Sequence, residues 1–289
     1  MTYDCGDSQA LSMQDSWYTA WQIREATGND CQKQYLWGVG ANDGYGPQMG
    51  AEFVPTINTI GPASTVLADI EKFKTKWTRL NVHMLLGYDN PDTTNVNYIS
   101  PEEAAKDWVK VQNIAKAFDP PLVLASPAPS SSDFDASGRS AWLDSFFEKC
   151  EDLDGCDPTM ITYINLHDNG DSVDALSDKI SGIYEIYGER KVFLSKASIT
   201  GVGKCVSRLC QDAYMEELLP MLEAHPYVYR YAWHESRMVQ DDKYHGEKDL
   251  LVYNVQEPTI TSTGIIYSTW PRNTGEMDTT PPPTPAPTP

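Results

Sequence analysis

The sequence predicts an α/β fold in which parallel strands alternate with helices and, at this length, a (β/α)8 TIM barrel with a reduced first strand. Three observations carry that prediction. Between residues 15 and 236, short apolar runs alternate with stretches of helical periodicity. Seven such runs are evident, and the extreme amino terminus, Met1–Asp4, is the candidate eighth. No glycine-rich phosphate loop follows any of them, which argues against a doubly wound nucleotide-binding sheet.

In chain order the expected strands are Ser16–Trp21, Glu52–Ile57, Val82–Tyr88, Leu122–Ser126, Ile161–Leu166, Lys191–Ser195 and Tyr227–Trp233. Helices are expected between them. Ser100-Pro101-Glu102-Glu103 combines a serine cap, proline at the first helical position and acids in the first turn. The helix it opens places Trp108, Val111, Ile114 and Ala115 on one face. Asp174–Tyr187 and Ala213–Ala224 read the same way.

The chain has 289 residues, 40% hydrophobic and 22% charged, enough for one large domain with a sizeable core. We expect that domain over residues 1–276. The tract from Thr279 to Pro289 is built almost entirely of proline and threonine and cannot bury a core, so residues 277–289 are expected to form an extended linker or stalk. The formal net charge of −19 excludes binding to a phosphate backbone, so no nucleic-acid partner is expected. No stretch approaches the roughly 20 apolar residues of a membrane span.

Six cysteines occur, and two pairs are close in sequence, Cys150/Cys156 and Cys205/Cys210. Cys5 and Cys31 are the remaining pair. An even count in local pairs reads as three disulfides formed in an oxidising compartment, hence a secreted or surface location. Zinc is the rival, but no pair has C-x-x-C spacing and no histidine cluster accompanies them, so neither metal nor cofactor is expected.

Two strand ends carry the functional signal. Leu85-Leu86-Gly87-Tyr88-Asp89-Asn90-Pro91-Asp92 and Leu194-Ser195-Lys196-Ala197-Ser198 each follow an apolar run. They resemble the catalytic strand ends of glycoside hydrolase family 128, the glycosyl hydrolase catalytic core, where the patterns L-G-F-N-E-P-D and L-T-E-F/W are typical. Further matches run in order through residues 15–238: Trp17–Trp21, Glu52-Phe53-Val54-Pro55, Ser100–Ala105, Leu124–Ala128, His167, and Pro226–Trp233 followed by Arg237. The resemblance implies a (β/α)8 barrel and a β-1,3-glucan or related cell-wall polymer as ligand.

It also exposes a departure. Asn90 stands where the family has its acid/base glutamate, and Lys196 where it has its nucleophile. A retaining glycosidase needs two carboxyl groups about 5–5.5 Å apart. Asparagine does not transfer a proton usefully, and an ammonium at the nucleophile position opposes the positive charge of the transition state. The family's His-Trp-Tyr trio has become His167-Asp168-Asn169, which removes two stacking rings.

The carboxylates that remain as substitutes are Asp89, Asp92, Asp168 and Glu235. An inverting pair among them, or metal- or Lys196-dependent chemistry, is one reading. A structural surface protein is another. The expected one is a catalytically degenerate, monomeric glycan binder with Trp17, Trp21, Tyr88, Asn90, His167, Lys196 and Trp233 at its cleft. Lys196, as a buried cation, is expected to pair with Asp89, Asp168 or Glu235.

Overall fold

The computed structural model describes residues 17–20, 52–57, 82–94, 98–170, 172–199, 205–234, 247–250 and 259–270. The expected strand at Met1–Asp4 lies outside them. Among the described residues, seven parallel strands follow one another: β1 (Trp17–Ala20), β2 (Glu52–Pro55), β3 (Met84–Leu85), β4 (Val123–Ala125), β5 (Ile161–Asp168), β6 (Val192–Ala197) and β7 (Val228–Trp233). β1 pairs with β2, and β3 to β7 form a five-stranded sheet in chain order. Hydrogen bonds from Leu86 N to Pro55 O (2.9 Å) and from Ile57 N to Leu86 O (3.0 Å) join β2 to β3. Parallel neighbours consecutive in sequence are what βα repeats produce.

Apolar side chains divide into two layers. Val54, Met84, Leu86, Ala125 and Phe193 form one cluster, so β2, β3, β4 and β6 meet on a common inner face. Strands that far apart in order touch only if the sheet curls. The larger cluster holds the opposite strand face, with Leu85, Leu124, Ile164, Leu166, Val192 and Leu194, packed beneath the helices. Both faces of the sheet are therefore apolar, which explains strands that read as continuous hydrophobic runs.

The helices are α1 (Pro101–Lys116), α2 (Ala141–Glu151), α3 (Val173–Ile186), α4 (Arg208–Ala224) and α5 (Ser262–Thr269). Each starts at a Ser or Thr whose side chain accepts a backbone N–H of the first turn, and at α1 Ser100 and Glu103 complete a capping box. In α1, Ala104, Trp108, Val111 and Ala115 are buried, the face that spacing predicts. α4 begins at Arg208, five residues earlier than expected, because Ser207 supplies the cap. Disulfides Cys150–Cys156 and Cys205–Cys210 form, with Cα atoms 5.1 and 5.4 Å apart. Cys5 and Cys31 lie outside the described residues.

Candidate active-site cleft

The polar residues gather where β3, β5, β6 and β7 end, at the carboxyl edge of the sheet. There the regular alternation breaks, and the breaks decide what points inward. Gly87 is the first. A Cβ on it would lie 2.4 Å from Pro127 N and 2.7 Å from Ser126 O, so only glycine lets β3 run this close to the end of β4. Beyond it the chain stays bonded to the segment after β4: Ala128 N donates to Tyr88 O (2.8 Å) and Asn90 N to Ala128 O (2.9 Å).

Asn90 itself adopts a left-handed backbone, φ 49°, which asparagine tolerates better than most residues. Pro91 and Asp92 continue in a turn. Asp92 accepts from Ser130 N (2.7 Å) and from the Ser130 hydroxyl, lacing this turn to the loop after β4.

The second break is in β5 and β6. The register shifts between Leu166 and His167, so that His167 stands opposite Lys196. Leu166 and Leu194 face the helices, yet Lys196 reaches inward across the mouth to Asp89, with Nζ 2.5 Å from Oδ1. A bulge that adds one residue to one strand re-aims the side chains beyond it, and here it turns Lys196 toward the cleft. The pair is buried, with side-chain exposures of 11% and 4%.

His167 completes the cluster. Its Nδ1 is 2.9 Å from the Asn90 side-chain oxygen and its Nε2 is 3.3 Å from Asp89 Oδ1. Burial, and then Lys196, hold the imidazole well below its usual pKa, so His167 is neutral at pH 7. Burial works against the charge on Asp89. His167, Lys196 and His234 around it outweigh that and hold its carboxyl below the ordinary value. With the imidazole neutral, the positive charge beside Asp89 is that of Lys196.

The other expected residues separate into distinct groups. Asp168 adjoins His167 in β5 but is committed elsewhere: it accepts from Lys179 Nζ (2.6 Å) and Gly170 N (2.7 Å). Two of the expected cleft rings are buried. Tyr88 is fully buried in the helix-side layer, its ring 6.1 Å from Trp108. Trp233 is 3% exposed, packs toward Tyr214 and donates its indole N–H to Lys248 O (2.8 Å). Trp17 contributes a backbone position in β1, while Trp21 and Glu235 lie outside the described residues.

Lys248 is a member of the cluster that sequence reasoning missed. It is 1% exposed, with Nζ 3.3 Å from His234 Nδ1 and 3.5 Å from Ser198 Oγ. It comes from a segment after β7 that carries no motif, so only the fold reveals it. Among the described residues, no three His, Cys, Asp or Glu side chains are grouped to hold a metal ion.

The family model described as glycosyl hydrolase catalytic core matches residues 4–267. The chain belongs to that family. Solved structures of similar proteins share its architecture. A subgroup II endo-β-1,3-glucanase of glycoside hydrolase family 128 from Pseudomonas viridiflava is 22% identical, with a TM-score of 0.67 over 92% of this chain and 94% of that one. The Sorangium cellulosum subgroup II endo-β-1,3-glucanase is 20% identical, TM-score 0.68, over 94% and 97%. A curdlan-specific exo-β-1,3-glucanase of subgroup III from Blastomyces gilchristii is 21% identical, TM-score 0.62, over 93% and 96%. No curated protein matches the chain. Asn90 on His167 and Lys196 on Asp89 are members of one network.

Proposed function

We propose that this is a secreted, catalytically degenerate member of the glycosyl hydrolase catalytic core family that binds a β-1,3-glucan-type saccharide at the former active-site cleft. The observation that carries the proposal is the buried Lys196–Asp89 pair, with Lys196 at the position where the sequence resemblance puts the nucleophile. An ammonium there neither attacks an anomeric carbon nor stabilises a cationic transition state. Asn90, held against His167, supplies no acid. Rebuilt hydrolysis has little to draw on among the described residues, because Asp92 and Asp168 are tied to Ser130 and to Lys179, and Asp89 to Lys196. Solved relatives have been crystallised with laminaritriose, laminaribiose and longer laminari-oligosaccharides, which supports a saccharide as ligand.

The proposal extends to the rest of the chain. Residues 1–276 form one closed eight-stranded barrel domain, Cys5 pairs with Cys31, residues 277–289 form a stalk, and the protein is a monomer. The two disulfides favour an extracellular setting. Incubation with laminarihexaose, followed by product analysis and by titration calorimetry, tests function. The expected result is binding without new reducing ends. Release of new reducing ends by the parent protein would refute the degenerate reading, and an absence of both binding and turnover would refute the glycan reading.

A further inference from the structure

Asp89, His167 and Lys196 are all buried at the centre of the cleft. Solvent reaches instead the polar side chains of the loops that follow β3, β4 and β5, among them Asn90, Asp92, Ser131 and Asn169. One hydrogen-bonded path joins these loops. Ile99 N donates to Pro91 O (2.9 Å), next to Asn90. Asp92 accepts from Ser130 N (2.7 Å) and from the Ser130 hydroxyl. Asn169 Nδ2 then donates to the hydroxyl of Ser131 (3.2 Å), and its Oδ1 accepts from Ser198 Oγ (3.5 Å). The path has an aromatic ring at one end and an amide at the other. Tyr98, next to Ile99, is 56% exposed and stacks on no other ring among the described residues. Its backbone is anchored, because Ile99 also accepts the Trp142 indole N–H (3.1 Å). Asn169 is exposed, and its two bonds leave one N–H and one carbonyl lone pair facing solvent.

We infer that an uncharged oligosaccharide lies along this rim, above the buried ion pair, with one sugar face on Tyr98 and sugar hydroxyls on Asn169. The inference rests on the glycan-binding reading above and deepens it by placing the ligand on the loops of β3 to β5. The C–H face of a pyranose is apolar and flat enough to stack on an exposed ring, which loses little freedom because its backbone is held. A sugar hydroxyl both donates and accepts, so it matches the N–H and lone pair that Asn169 keeps free. Neighbouring strands are about 4.8 Å apart, which puts β3 and β5 about 10 Å apart, so a ligand that touches both ends is longer than one hexose. The Asp92 carboxylate on the rim and the net charge of −19 both disfavour an acidic saccharide.

The test is calorimetric titration of the full chain and its variants with laminarihexaose. Tyr98→Ala is expected to weaken binding about tenfold, and Tyr98→Phe, which keeps the ring face, to stay within about twofold of the parent. Asn169→Ala is expected to weaken binding about fivefold. Both side chains are exposed, so melting temperatures should stay within about 2 °C of the parent, which separates lost contacts from lost structure. Unchanged affinity in either alanine variant overturns the inference and leaves the glycan reading standing. A parent protein that binds no laminarihexaose removes both.

Discussion

At the scale of single residues, Lys196 and Asp89 behave as a unit. Replacing one member of a buried ion pair leaves the other charged and desolvated, which costs about 3–5 kcal/mol. Lys196→Met is therefore expected to lower stability by about 3 kcal/mol, read as the midpoint of urea unfolding. Asp89→Asn with Lys196→Met together should recover most of the loss, because no charge is then stranded. Proton linkage gives a second expectation. The folded state holds His167 neutral, below an unfolded value of about 6.5. As pH falls below that value the unfolded chain binds a proton the folded one refuses, so stability drops by about 1.4 kcal/mol per pH unit. Asp89 adds to the same trend lower down: its depressed folded pKa contributes stability above about pH 4, lost as pH falls through the folded value. Melting temperatures between pH 4 and 8 should fall with acid, and His167→Gln should flatten the segment between about 6.5 and 5. Sequence alone points to Asn90 and Lys196, since a motif with a missing residue is still a motif. It leaves three candidates for the partner of Lys196, because the choice depends on which way each strand end faces.

At the scale of elements, strand periodicity is readable in the sequence and strand orientation at the cleft is not. All seven apolar runs are strands within a few residues of their expected ends, since a run buried on both faces has a strong signature. Tyr88 packs on Trp108 where Gly87 interrupts the strand, and the register of β6 against β7 shifts before Trp233; neither interruption is visible in composition. Helix α2 is absent from the expected elements although Trp142, Phe146 and Cys150 form an i, i+4, i+8 stripe, and α5 is too short and threonine-rich for periodicity to speak. Gly87→Ala is expected to cost at least about 2 kcal/mol, because its methyl would collide with the Ser126–Pro127 backbone, which has no side-chain end to swing away. Chemical denaturation measures it, and a change under about 0.5 kcal/mol would mean that β3 and β4 separate easily.

At the scale of the whole molecule, two disulfides among the described residues each close a short loop and pin the start of a helix or its end, Cys205–Cys210 at α4 and Cys150–Cys156 at α2. Thiol titration of the denatured, unreduced protein should find no free cysteine, which includes Cys5 and Cys31. The contact between Lys196 and Asp89 has a consequence for the order of events in folding. It spans 107 residues of chain and joins strands three places apart, whereas every neighbouring pair of described strands is consecutive in sequence. Closing so long a loop is entropically late compared with pairing adjacent βα units. The ion pair then belongs to the final stage of assembly, after the sheet has curled. In a chevron, Lys196→Met should leave the refolding limb almost unchanged and act by accelerating escape from the native state. Lys196 would then act as a kinetic latch.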